Sequence, residues 1–239
     1  MRIEGKNAVR ESILASKTIE KVLVQNGSQN KELVSLAKER GVKVQFVNKS
    51  ALDDISVTKK HQGIIAITTD FRYSSVEDIL NVANERGEDN FILILDGVED
   101  PHNLGSVLRV AECAGVHGII IPKDRAVGVT ETVVKVSAGA SERIKIAKVT
   151  NLNRTIEELK EKNIFVYAAD MDGAPMTKTN LTGNIALIVG SEGFGVSKLT
   201  RKLSDGIISI PMFGKINSLN ASVSAGIVVY EAIRQRKKV

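Results

Sequence analysis

Phe91-Ile-Leu-Ile-Leu95-Asp96-Gly-Val-Glu-Asp-Pro-His-Asn103-Leu-Gly-Ser-Val-Leu-Arg109 decides the fold class of this 239-residue chain. Five apolar residues in a row, without the polar alternation of a half-exposed strand, predict a strand covered on both faces. The loop after it leads into a helix over 104–114 with a buried stripe of Leu104, Val107, Leu108 and Ala111, and Asn103 is expected as its N-cap. Working outward, apolar strands are expected at 118–121, 144–149, 164–168, 185–189 and 207–210, with helices near 130–138, 153–162, 197–203 and 218–236 between them. Such a succession predicts an α/β domain on a parallel sheet, with ligands beyond the carboxyl ends of its strands.

Toward the N-terminus the pattern is different. Residues 5–16, 31–40 and 49–55 read as helices, the second closed by Gly41, and 21–25, 42–47 and 63–68 read as strands. Residues 70–76 are polar and serine-containing, so the expected organisation is a small α/β domain over 1–70, a linker and leading helix over 71–89, and the large domain over 90–239. Charge divides the same way. The net charge is +5, but residues 1–70 carry 12 basic and 8 acidic residues against 21 and 20 in the remainder. A basic small domain suits capture of nucleic acid by its phosphates, although an ordinary lysine-rich surface explains the charge equally well. With 43% hydrophobic and 26% charged residues and a mean hydropathy of −0.01, a membrane span or disorder is not expected. The opening residues lack the apolar stretch of a secretory signal, and the single cysteine, Cys113, suits a reducing cytoplasm.

Three loops could carry chemistry. In the first, Arg109 stands on the side of the helix away from its apolar stripe, one turn after Gly105, and can extend over that bare glycine toward the loop to make an anion-binding corner. A surface ion pair with Glu112 is the plainer alternative. The second is Gly190-Ser-Glu192-Gly193-Phe-Gly195-Val-Ser197, in which a lone glutamate sits among glycines that let a ligand approach the backbone. Its glycine spacing and its place after a late strand separate it from a dinucleotide fingerprint, and a simple glycine-rich turn would look similar. The third, Ile210-Pro-Met-Phe-Gly214-Lys-Ile-Asn-Ser218-Leu219-Asn220-Ala-Ser222, opens the final helix, where Ser218 or Asn220 could serve as a plain cap. That helix has one apolar face and a basic tail, Arg234-Gln-Arg236-Lys237-Lys238, and suits docking on a core or a second subunit.

Taken together and in this order, the three loops resemble the SpoU/TrmH (SPOUT) family of RNA 2′-O-methyltransferases. Ile3-Glu4-Gly5-Lys6-Asn7-Ala8-Val9 and His61-Gln62-Gly63 look like the RlmB branch of that family. The resemblance implies a deep trefoil knot in the large domain, an N-terminal domain similar to certain ribosomal proteins, S-adenosylmethionine as cofactor and no metal. It also implies an obligate homodimer with the substrate site shared across the interface, and RNA as substrate, with a guanosine of 23S ribosomal RNA expected. Carried over by position, main-chain groups at Gly190, Ile210 and Leu219 would hold the cofactor, with Glu192 and Gly193 shaping the pocket. Asn103, Arg109, Glu192, Ser218 and Asn220 correspond to catalytic or substrate residues. The arginine matching Arg109 has been proposed as the base in this family; because guanidinium groups stay protonated in proteins, Arg109 is read instead as gripping phosphate and polarising the hydroxyl. Two other readings compete. A non-catalytic RNA-binding protein would leave the Gly190 and Ser218 loops idle, and a nicotinamide-dependent oxidoreductase would need a glycine-rich phosphate loop after the first strand of the large domain, which is absent there.

Overall fold

The structure is a computed structural model that describes residues 2–14, 18–69, 71–215 and 218–237. The expected end of the first helix at 15–16, Ile216 and Asn217 of the third loop, and Lys238 of the basic tail lie outside the described residues. The chain divides into two compact units, Met1–Arg72 with Gly128–Glu131, and Tyr73–Val127 with Thr132–Val239.

The smaller unit contains β1 (Arg2–Glu4), α1 (Lys6–Leu14), β2 (Thr18–Gln25), α2 (Lys31–Glu39), β3 (Val44–Val47), α3 (Lys49–Ile55) and β4 (Ile64–Thr69). Its described strands form a sheet in the order β1-β4-β2-β3, parallel only between β2 and β3. Val22, Val24, Ile64 and Ala66 face α1 and α2 through Val9, Ile13, Leu33 and Ala37. A loop after α3 is tied down by Glu4, whose carboxylate accepts from Ser56 Oγ (2.8 Å), Val57 N (2.6 Å), Thr58 N (3.2 Å) and Thr58 Oγ1. Partial desolvation opposes ionisation of Glu4, but these donors outweigh it and bring its pKa down from 4.5 to about 2.

The larger unit begins with α4 (Val76–Arg86), bounded by a capping box between Ser75 and Asp78 and by Gly87 in the left-handed region. There follow β5 (Phe91–Asp96), α5 (Pro101–Cys113), β6 (Gly118–Pro122), α6 (Glu131–Val136), β7 (Lys145–Val149), α7 (Leu152–Glu161), β8 (Phe165–Pro175), β9 (Ile185–Gly190), α8 (Lys198–Leu203), β10 (Gly206–Ser209) and α9 (Ala221–Lys237). Among the described residues these strands make one six-stranded sheet, parallel throughout, in the order β10-β8-β9-β5-β6-β7. The central strands β5 and β9 are buried along their apolar runs, as unbroken runs of Ile, Leu and Val require. β8 is longer than its apolar residues predict. Its polar end is held by β10, and Gly173 lets the two backbones meet: a Cβ there would lie 2.6 Å from the carbonyl carbons of Ile207 and Ile208.

Because the chain adds β6 and β7 on one side of β5, then returns to build β8, β9 and β10 on the other, a crevice opens at the carboxyl ends of β8 and β9. Among the described residues no helix is long and apolar enough to cross a membrane, and no group of three or more His, Cys, Asp or Glu could hold a metal ion.

Candidate active site

A cleft of about 400 Å³ lies at those strand ends, beside Ala169 of β8 and Val189 and Gly190 of β9. Beyond Gly190 the chain turns back on itself: Ser191 N donates to Gly195 O (3.2 Å) and Gly195 N to Ser191 O (3.0 Å). Gly193 (φ 88°) and Gly195 (φ 65°) take backbone conformations that L side chains rarely adopt. A Cβ on Gly190 would lie 2.0 Å from Gly195 C, so the close return of the loop requires glycine there. Two clasps fix the loop to its neighbours. Asp96, at the end of β5, accepts from Ser197 N (2.9 Å), and Ser197 in turn caps α8.

The first turn of α5 and two loops meet at Glu192. Its Oε2 accepts from Asn220 Nδ2 (3.3 Å) and, at 3.5 Å, from Asn103 Nδ2, while Asn220 Nδ2 also donates to Asn103 Oδ1 (2.9 Å). The other end of Asn220 caps α9, its Oδ1 accepting from Ser222 N (2.9 Å), Ser222 Oγ (2.6 Å) and Val223 N (3.4 Å).

Asn103 does not cap α5, contrary to expectation. The helix starts three residues earlier, with Asp100 as N-cap accepting from His102 N (3.0 Å) and Pro101 in the first turn. Proline has no N–H to leave unsatisfied and its fixed φ suits a first helical position, so the Asp-Pro pair starts the helix and leaves the Asn103 side chain free to reach Glu192. The Asp100-Pro101 dipeptide was the sequence signal for this start.

Of the other expected residues, Gly190, Glu192, Gly193, Ile210, Ser218 and Leu219 line the cleft. Arg109 does not. It is exposed on α5 and, among the described residues, has no hydrogen-bond or ion-pair partner; Glu112 lies 3.8 Å from Arg143 instead. The slot over Gly105 is also closed, because a Cβ there would stand 2.7 Å from Val136 Cβ of α6, so Arg109 cannot extend across an open glycine. The cleft holds residues that sequence reasoning did not single out. Asp170 pairs with Arg201 (3.3 Å), and both line it with Lys198 and Met212. Asp170 follows the apolar run of β8, the position where the strand-end rule places ligands.

The cleft combines apolar side chains such as Val189, Val196, Ile210 and Leu219 with the glycines of the Gly190–Gly195 turn, where a ligand can approach the backbone closely, and its volume falls in the usual range for a cofactor. Beside it stand one carboxylate and two amides in a fixed arrangement, able to orient a hydroxyl-bearing substrate.

Residues 90–230 match the SpoU rRNA Methylase family, and residues 2–74 match the RNA 2′-O ribose methyltransferase substrate-binding family. A protein of Bacillus subtilis (strain 168), YacO, whose name places it in the TrmH family of tRNA/rRNA methyltransferases, is 44% identical over 98% of this chain and 96% of its own length. A crystal structure of an RNA 2′-O ribose methyltransferase is similar with a TM-score of 0.58 at 27% identity, over 98% of this chain and 88% of that one. The SpoU methyltransferase AviRb of Streptomyces viridochromogenes, solved in complex with AdoMet, shares the fold with a TM-score of 0.64 at 21% identity, over 100% and 91% of the two chains. The chain belongs to the SpoU/TrmH family of RNA methyltransferases.

Proposed function

We propose that this protein transfers a methyl group from S-adenosylmethionine to a ribose 2′-hydroxyl of RNA. The observation that carries the reading is the meeting of Asn103 from the first turn of α5 with Glu192 and Asn220 from two loops, beside the cleft at the end of β9. When bound, the cofactor supplies a sulfonium methyl that is already electrophilic, so no metal is assigned a role. Main-chain groups at Gly190, Ile210 and Leu219 hold it, with Gly193 and Glu192 shaping the pocket. Asn103, Glu192, Asn220 and Ser218 orient the ribose, so the protein's contribution is position.

Arg109 completes the site from a second copy of the chain. This is supported by its place outside its own cleft and by the neighbouring surface of α5 and α9, which pack together and leave Val223 and Tyr230 exposed. In this homodimer the guanidinium grips an RNA phosphate at two points and polarises the hydroxyl. The same reading carries a deep trefoil knot in the larger unit, supported by the order in which β8, β9 and β10 double back beside β5. It divides the chain into a substrate-binding domain over 1–70, a linker and leading helix over 71–89 and the methyltransferase domain over 90–239. A guanosine of 23S ribosomal RNA is the proposed target, with a cytoplasmic place in rRNA processing; transfer RNA is the second candidate, since names among the relatives include both.

Calorimetry with S-adenosylmethionine, and mapping of 2′-O-methyl groups in ribosomal and transfer RNA from cells with and without the protein, test this directly. A chain that binds no cofactor, or cells whose 2′-O-methyl maps do not differ, would overturn it.

A further inference from the structure

The two most exposed large apolar side chains among the described residues are Phe194, 95% exposed, and Phe213, 98% exposed. Both belong to the loops that build the cleft. Phe194 stands between Gly193 and Gly195 in the Ser191–Gly195 hairpin, which is closed by two backbone hydrogen bonds and has both flanking glycines in the left-handed region. Phe213 follows Met212, which lines the cleft. A phenylalanine in water is unfavourable unless something covers it, and two of them on loops that contribute to one cleft offer apolar ring faces to a partner.

The occupant has to be flat, apolar on its faces and accompanied by negative charge. Lys198 lines the same cleft and, among the described residues, has no ion-pair partner, unlike Arg201, which is held by Asp170 and Asp172. The cofactor does not account for both rings, because a cofactor pocket encloses its ligand, whereas Phe194 lines the cleft yet is almost wholly exposed and Phe213 is not among the lining residues. Nucleobases do, since every base has a π-face that stacks on an aromatic ring while its phosphate meets a lysine.

We propose that Phe194 and Phe213 stack on unpaired nucleobases next to the ribose to be modified, so that the protein takes its target from a single-stranded or loop segment of RNA and not from within a duplex. This rests on the methyltransferase reading and adds to it the form of RNA accepted. Bases within a duplex are already stacked on both faces and have none to offer these rings.

The test uses the full chain with Phe194→Leu and Phe213→Leu, singly and together, since leucine keeps the apolar bulk without the π-face. The probe is a short single-stranded RNA carrying 2-aminopurine, alone and annealed to its complement, with cofactor affinity measured by calorimetry and mass by light scattering. The unsubstituted protein is expected to quench the single strand and not the duplex. Each variant is expected to bind the single strand about tenfold more weakly, with cofactor affinity and mass unchanged. Quenching that survives in the double variant, or equal binding of single strand and duplex, would overturn the proposal. Lost cofactor affinity would place the rings in the cofactor pocket, and a changed mass would place them between copies of the chain; either result overturns it too. A protein that binds neither cofactor nor RNA before substitution would instead bring down the methyltransferase reading itself.

Discussion

At Asn220 one amide serves both the helix and the site, its oxygen capping α9 and its nitrogen reaching Asn103 and Glu192. Substitutions can separate these duties. Asn220→Ala removes both, and unfolding is expected to become about 1 kcal/mol easier, the usual loss for a cap. Asn220→Asp keeps acceptors for the first turn of α9 and sets a negative charge at its positive end, so stability is expected within about 0.5 kcal/mol of the parent. The same change puts a second carboxylate against Glu192 and removes the donor, and methylation is expected to fall on the order of a hundredfold. Thermal melts beside turnover would show the split; an active aspartate variant would mean that the amide serves the helix alone. On the proposed reading, Arg109 has only the second kind of duty. Arg109→Ala is expected to leave folding and cofactor affinity intact and to abolish methylation, with a loss of about 3 kcal/mol or more in transition-state stabilisation. Arg109→Lys tests the two-point grip, because lysine keeps the charge and loses the fork; a lysine variant at the parental rate would show that a point charge suffices.

Among the elements, the Gly190–Gly195 hairpin is the least tolerant of a side chain. Gly190→Ala would drive a methyl into the backbone of Gly195, where nothing flexible can give way, and about 1–3 kcal/mol of stability is expected to be lost together with cofactor binding. Gly87→Ala is the control: its Cβ meets nothing within 4 Å, so only the strain of its left-handed φ is felt and the cofactor should still bind. Calorimetry on both would show whether space or backbone strain governs the hairpin. Sequence reasoning found β5 and β9 because a strand buried on both faces needs an unbroken apolar run, a strictly local signal. It missed the polar end of β8, whose hydrogen bonds come from β10 more than thirty residues later, and it put the start of α5 at Asn103 although Asp100-Pro101 already offered a cap and a first turn. It also read Gly105 as open space. What fills that space is Val136 of another helix, and no pattern around Gly105 encodes it.

For the molecule as a whole, two measurements follow. If sites are shared between copies, Arg109→Ala and Asn220→Asp chains are each inactive alone, but mixed dimers hold one intact site; equal mixing with subunit exchange is expected to restore about a quarter of parental activity. No recovery, with exchange verified, would confine each site to one chain. Acid acts on the smaller unit through Glu4. Its pKa is lowered by folding, so its stabilising contribution is complete above about 4.5 and is lost as pH falls toward about 2. Glu4→Gln is expected to flatten the acid limb of that unit's unfolding across this window; an unchanged limb would assign it to other carboxylates.

Holding a cofactor through main-chain groups, as proposed for the cleft, has one more consequence, for how such a protein changes over generations. Every amino acid except proline brings the same N–H and C=O, so most replacements around the pocket would leave such a hydrogen-bonding surface as it was, provided the few glycines that set the chain's path persist. Side chains on the lip, such as Phe194 and Phe213, carry no such restriction. If RNA is met at the rim as proposed, inheritance can rewrite which RNA is taken while the pocket beneath stays the same, and one scaffold can be readdressed to new targets without rebuilding its chemistry.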